Sequence, residues 1–285
     1  MPILKWPGGK RKLAPLIEEA FGGPCKEWYI EPFLGSAAVY LYRRSIGSIQ
    51  SNRSILSDAN WRLVQFYREL SEEPSHLWYQ FQKIVSSEKR DENGRISESF
   101  YRELVKQYNE WYQSPDYEES KMEAIFLWLN KNCFNGLYRE NAKGDFNVPR
   151  GDRKETGITL DQILSLSEQF QGTSLIEGLY QDARPHKGYQ IYCDPPYLPV
   201  KTNSFTSYFS KEFGVAEHLK LAAYAIEAAD RGAKVVISNS DTELTHTIYN
   251  EKLGFKAFHR IDVQRSIAAS ATARTSAGEV ILTIG

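Results

Sequence analysis

Long apolar runs are missing from this chain. No stretch approaches the ~18 consecutive apolar residues that a membrane-spanning helix needs, and there is no signal-like or lipid-attachment motif, so a soluble, cytoplasmic protein is expected. Cysteine is scarce. Cys25, Cys133 and Cys193 make an odd set without metal-ligand spacing, which excludes a disulfide framework and predicts reduced thiols. A surplus of charge is absent as well: 35 Lys and Arg oppose 36 Asp and Glu, for a formal net charge of −1. Such a balance rules out a polycationic coat for nucleic acid, and any phosphate contact must come from local patches. Internal repeats and low-complexity tracts are also lacking, which excludes solenoids.

What is present is 285 residues, enough to bury a full core as one large domain or as a domain with an insert. Short apolar or β-branched runs closed by Gly, Pro or Asp predict strands at 27–31, 54–58, 189–193, 233–238, 257–264 and 279–284. Helical patterns at 37–44 and 216–229 alternate with them, which predicts an α/β doubly wound sheet. Only a short turn-rich link joins the last two strands, so an antiparallel hairpin at the sheet edge is expected there. The middle differs. From Trp61 to about Leu129 the pattern is amphipathic and rich in aromatics and charges, with Pro74 and Pro115 as breakers, which predicts three or four helices. Residues 130–154 are polar and basic, with Lys131, Arg139, Lys143, Arg150, Arg153 and Lys154 against Glu140, Asp145 and Asp152. That is too long for an idle connection and predicts an inserted functional module. The expected division is 1–60 with 155–285 as one domain and 61–154 as the insert.

Four motifs carry chemistry. Behind the strand 189–193 stands Asp194-Pro195-Pro196-Tyr197. A conjugated amino group is a poor nucleophile because its lone pair is delocalised into a ring. A carboxylate on Asp194 and the Pro195 carbonyl can accept its two hydrogens and turn the lone pair outward, with the backbone held open by two prolines and Tyr197 stacking on the ring. The plain alternative is an acidic turn after a strand. The second motif, Glu31-Pro32-Phe33-Leu34-Gly35-Ser36, reads as strand, glycine turn and helix start, where small residues let backbone approach a nucleoside cofactor. Asp58, 23 residues beyond Gly35 at a strand end, is placed for ribose hydroxyls, unless it merely caps the helix at Trp61. The third, Lys5-Trp6-Pro7-Gly8-Gly9-Lys10, is a tight turn presenting Trp6 and Lys10, and Trp6 can face a sulfonium cation or simply plug the core. The fourth, Asn130 to Arg139 with Phe146-Asn147-Val148-Pro149-Arg150, interleaves basic and aromatic residues as a nucleic-acid surface does, or as a solvated basic loop does.

Together these motifs, with Phe205-Thr206-Ser207-Tyr208, Ser238-Asn239-Ser240-Asp241 and Arg265-Ser266-Ile267, resemble the DNA adenine methylase family, the alpha-group adenine-N6 DNA methyltransferases. The resemblance covers most of the chain, apart from 71–117. It implies a Rossmann-like methyltransferase sheet, an inserted helical target-recognition domain, S-adenosylmethionine as cofactor and double-stranded DNA as partner. Neither metal nor membrane is expected, and a monomer, paired at most on DNA, is. It implies that Trp6, Lys10, Pro32, Phe33, Gly35, Asp58 and Asp194 line the cofactor site. Asp194, Pro195, Pro196 and Tyr197 become the catalytic set. Lys5, Leu137, Arg139 and Pro149 would read a GATC-type target, Asn135 would contact DNA, and Phe134 stands at the place of a residue that fills the gap left by a flipped base. Arg153, Arg265 and Ser266 would meet DNA, and 203–211 would form a closing loop. This chain departs from the family at Ser36-Ala37, where a second glycine is common, and at Asp152-Arg153, where a basic and an aromatic residue are common. Two other classes remain open: transfer to cytosine N4 or an amide nitrogen, and a regulator that binds DNA without turnover.

Overall fold

The computed structural model describes residues 2–110, 118–152, 157–178, 185–198, 213–263 and 277–285. Pro115, Arg153, residues 203–211, Arg265 and Ser266 lie outside that set. The chain forms two compact units: Met1–Gly9, Gly35–Leu41 and Asn60–Leu175, and Lys10–Leu34, Tyr42–Ala59 and Ile176–Gly285.

The second unit is built on a seven-stranded sheet. Its strands are β1 (Tyr29–Glu31), β2 (Ser54–Asp58), β3 (Ser174–Glu177, begun in the first unit), β4 (Gln190–Cys193), β5 (Lys234–Ser240), β6 (Lys256–Val263) and β7 (Ala277–Ile284), in the order β3-β2-β1-β4-β5-β7-β6. β1 pairs parallel with β2 and with β4, and β4 pairs parallel with β5. β7 then enters antiparallel between β5 and β6, from Val235 opposite Ile284 to Ser240 opposite Glu279, so the expected terminal hairpin is present. Side chains alternate across such a sheet. On one face Ile30, Ile191, Val235, Ile237, Leu282 and Ile284 pack with Leu221, Ala225 and Ala228 of helix α8 (Val215–Asp230). On the other, Tyr29 meets Phe21 of α1 (Ala14–Phe21), ring centroids 6.3 Å apart, and the Arg43 guanidinium of α2 (Ala38–Ser45) sits 4.8 Å from the Tyr29 ring. Helices on both faces make the sheet doubly wound.

The first unit is helical: α3 (Trp61–Glu72), α4 (Pro74–Ser86), α5 (Glu98–Glu110), α6 (Glu119–Asn132) and α7 (Leu160–Phe170). Pro74 both stops α3 and opens α4 at its first turn, where its missing N–H is no loss. α6 is buried nearly all round from Met122 to Asn130 because it runs through the core, with Phe126 against Phe66 at 5.5 Å and Trp128 against Phe100 at 5.6 Å. Asn60 caps α3 by accepting from the Leu63 N–H at 3.2 Å, so the capping role offered as the alternative for Asp58 belongs to Asn60. Helices α1, α7 and α9 (Glu243–Ile248) and the largely exposed strand β3 were not among the expected elements.

Candidate active site

Parallel strands direct the chain segments at their carboxyl ends to one edge of the sheet. Between β1 and β4 the connections part in opposite directions, which opens a crevice at that edge. Three of the motif segments in the second unit meet there: Pro32-Phe33-Leu34 after β1, Asp58 ending β2, and Asp194-Pro195-Pro196-Tyr197 after β4. The Leu34 N–H donates to the Ser57 carbonyl at 3.0 Å, which seats the turn after β1 beside the end of β2.

Asp194 has two unlike oxygens. Oδ2 takes an ion pair from Lys10 Nζ at 3.1 Å, whereas Oδ1 is buried with no hydrogen-bond partner. One fifth of the side chain still reaches solvent, yet its surroundings are dry enough that burial raises its pKa to about 6 against the lowering pull of Lys10. Tyr197 is anchored through its hydroxyl, which donates to Glu279 Oε2 at 3.0 Å, and its ring lies 4.7 Å from Lys10 Nζ. Burial holds that phenol well above its usual range, so it stays protonated. Asn239 of β5 accepts from the Leu198 N–H at 3.1 Å, and Ser240 donates to the Leu198 carbonyl at 2.7 Å, which ties down the far end of the motif. Glu279, Asn239 and Ser240 were not expected in these roles. Only the Ser238–Asp241 match offered a signal for two of them; for Glu279, on the hairpin strand, the sequence held none.

The other motif residues lie in the first unit. Trp6 packs on Gly35, where an added Cβ would stand 3.0 Å from the indole Cδ1, and stacks on Tyr138 with centroids 5.5 Å apart. Gly35 also has a φ of +49°, which favours glycine. The backbone of Lys5 is clasped by Asn130, which accepts from its N–H at 2.9 Å and donates to its carbonyl at 2.7 Å. Residues 139–147 form a tight hairpin, with the Asn147 N–H bonded to the Arg139 carbonyl at 3.1 Å. Arg139 lies exposed on it, its guanidinium oriented by Asn147 Oδ1 at 2.7 Å and the Asn147 carbonyl at 3.0 Å. Phe134 is 44 % exposed and its N–H binds the Pro149 carbonyl, while Asn135 holds a left-handed φ of +56°. Arg150 is occupied by Asp91 and Glu98, and Asp152 pairs with Arg95 at 3.0 Å. Cys25, Cys133 and Cys193 are free thiols. Among the described residues no group of three His, Cys, Asp or Glu is placed to hold a metal, and no helix is long and apolar enough to cross a membrane.

A doubly wound sheet ending in a reversed hairpin, with an acid-Pro-Pro-Tyr turn at its crevice, defines an α/β methyltransferase of amino groups. The model of the D12 class N6 adenine-specific DNA methyltransferases matches residues 6–267, and the chain belongs to that family. It is 34 % identical to a type II methyltransferase, M.MjaIII, of Methanocaldococcus jannaschii, over 94 % of this chain and 91 % of the relative. DNA adenine methylases of Haemophilus influenzae and Vibrio cholerae are each 33 % identical, over 100 % and 98 % of this chain and 93 % and 94 % of theirs. The chain is thus a DNA (adenine-N6)-methyltransferase, and its methyl donor is S-adenosylmethionine. The residues present fit that group, with a half-buried carboxylate, Asp58, ending β2 beside the turn that follows β1.

Proposed function

We propose that the enzyme methylates adenine within a short duplex target of the GATC type, using Asp194 and the Pro195 carbonyl as paired acceptors for the amino group. The observation that carries the acceptor role is the orphaned, buried Oδ1 of Asp194 beside an Oδ2 already held by Lys10. A buried acceptor without a partner is costly, and an incoming N–H satisfies it. The target adenine turns out of the duplex and presents its amino group to this turn. Its two hydrogens go to Asp194 Oδ1 and the Pro195 carbonyl, which leaves the nitrogen lone pair directed away from both. Tyr197, fixed by Glu279, offers its ring to the base face. When bound, S-adenosylmethionine supplies an electrophilic methyl, so the chain's residues mainly position the amino group and exclude water.

Cofactor contacts are assigned to Lys10, Pro32, Phe33 and Asp58 from their place at the crevice, and to Trp6 and Gly35 from the family resemblance and their mutual packing. Lys5, Phe134, Asn135, Leu137, Arg139 and Pro149 are assigned to the target. Arg139 carries the specificity, because an exposed guanidinium oriented by Asn147 suits bidentate contact with guanine O6 and N7. Arg153, Arg265 and Ser266 keep their DNA roles from the resemblance alone. We assign 61–154 to target recognition, and the enzyme acts as a cytoplasmic monomer. Two relatives carry the name type II methyltransferase, and a restriction-modification setting is proposed for this chain. The test is mass spectrometry of nucleosides and sequencing of methylated DNA from a host expressing the chain. N6-methyladenine confined to GATC is expected; N4-methylcytosine, or adenine methylated in another context, refutes the target. Asp58→Ala should raise the cofactor dissociation constant in calorimetry, and an unchanged value returns Asp58 to a structural place.

A further inference from the structure

Two prolines in succession leave a backbone with little freedom. Both φ angles are locked by their rings, and ψ of Pro195 is restricted to the extended region because a proline follows it. Of the two prolines' torsions the one that remains soft is ψ of Pro196, which sets the direction of the Pro196 carbonyl and of Tyr197 beyond it. That carbonyl meets a single buried imidazole: His218 Nε2 of α8 lies 2.9 Å from the Pro196 oxygen, and His218 Nδ1 lies 2.8 Å from the Tyr249 hydroxyl. Both side chains are buried, at 1 % and 2 % exposure.

Hydrogen-bond chemistry sets the proton inventory. A carbonyl only accepts, so Nε2 carries the hydrogen; a neutral ring then has a bare Nδ1, and the Tyr249 hydroxyl donates to it. The ring stays neutral, because burial lowers its pKa to about 4 in spite of the Pro196 carbonyl and Glu217. Around it stand Phe213, edge-on at 5.0 Å, and Tyr249, edge-on at 6.0 Å, which hold its plane.

We propose that His218 is a positioning residue for methyl transfer: through Nε2–H it fixes the one soft torsion of the Pro195-Pro196 pair, and Tyr249 fixes its tautomer. The consequence is geometric. Rotation about ψ of Pro196 would swing Tyr197 away from the two acceptors, Asp194 Oδ1 and the Pro195 carbonyl, and His218 opposes that rotation from the face of the sheet covered by α8. His218 touches neither substrate nor cofactor in this role.

The proposal rests on Asp194 and Pro195 being the acceptors, so Asp194→Ala is assayed beside the histidine variants. A displacement of about 1 Å at such a site costs on the order of 100-fold in rate. His218→Leu should therefore lower kcat roughly 10- to 100-fold, with KM for duplex and for S-adenosylmethionine within about twofold. His218→Gln, whose amide nitrogen reaches the place of Nε2, should recover most of the loss. An undiminished kcat in His218→Leu beside an inactive Asp194→Ala overturns the positioning role alone; a fully active Asp194→Ala overturns the acceptor reading beneath it. Should His218→Leu not fold, the nitrogen-15 spectrum of histidine-labelled wild-type protein decides. A neutral ring protonated on Nε2 at pH 7 is expected, and an Nδ1–H tautomer or an imidazolium overturns the proposal.

Discussion

Asp194 is asked to accept a hydrogen bond from a neutral amino group on Oδ1, and because Lys10 holds Oδ2, a proton added to the carboxylate falls on Oδ1 and turns that acceptor into a donor. Dry surroundings push its pKa up, Lys10 pulls it down, and the balance stands at about 6. Single-turnover methylation should therefore hold steady above pH 7 and fall about tenfold per unit well below pH 6. Lys10→Met removes the opposing pull and should move that limb to higher pH. A rate flat from pH 5 to 8 would show that this carboxylate is not the titrating acceptor. Arg139 works at the same scale but on specificity. Arg139→Ala should relax one guanine position of the target, with about 1–3 kcal/mol of discrimination lost. If affinity instead drops equally for all duplexes, the guanidinium contacts phosphate. Both residues stood out in the sequence, Asp194 by its prolines and Arg139 by its neighbours.

Elements decide how such side chains are held. The N-terminal turn owes its place to the last turn of α6 and the segment that follows it: Asn130 clasps the Lys5 backbone, Tyr138 stacks on Trp6, and Gly136 lies against Lys5. Gly136 has a φ of +64°, and a Cβ there would stand 2.5 Å from Lys5 Cβ. Gly136→Ala is expected to cost more than ~1 kcal/mol in urea unfolding, since both backbone strain and overlap oppose it, and to weaken target binding through Lys5. Wild-type stability and target affinity in that variant would disprove the close approach. The Asn135-Gly136 pair announced a turn in the sequence. That the turn carries Lys5 did not follow, because the contact spans more than a hundred residues.

At the scale of the molecule, stability is coupled to protons in the helical unit. Gln65, Arg68, Glu69 and Glu72 of α3 line a cavity of about 240 Å³ with Glu119 and Glu123 of α6. Burial, together with Glu119, Glu73, Glu72 and Glu118, raises the Glu69 pKa to about 7, and burial beside Glu69 drives Glu123 upward as well. A carboxyl whose folded pKa exceeds its unfolded value of 4.5 binds its proton more tightly in the native state. Its support is therefore complete below about pH 4.5 and is lost as pH rises through 7. Glu69→Gln should be more stable than wild type in urea at pH 8 and should lose that advantage toward pH 5. Equal denaturation midpoints at pH 8 would mean that Glu69 ionises in the native state at no cost.

Local chemistry is what the sequence determined by itself. Runs of β-branched and apolar residues specified the strands of the parallel core and the hairpin, the coincidence of Ser54–Asp58 being complete. The prolines, glycines and carboxylates of the motifs marked where chemistry would lie. Four elements escaped it: α9 is short and β3 is exposed, whereas α1 and α7 bury Ala14, Ile17, Ala20 and Phe21 and Ile163, Leu166, Ser167 and Phe170 at helical spacing that the sequence did hold. Tertiary structure decided the partners. Glu279 reaches Tyr197 from β7, His218 reaches Pro196 from α8, and Lys10 reaches Asp194 from the first loop. Lys10 and Asp194 were brought to one site by the family resemblance, but the Glu279 and His218 contacts have no sequence signature, because a hydrogen bond across tens of residues depends on which elements lie side by side, and the whole core fixes that order.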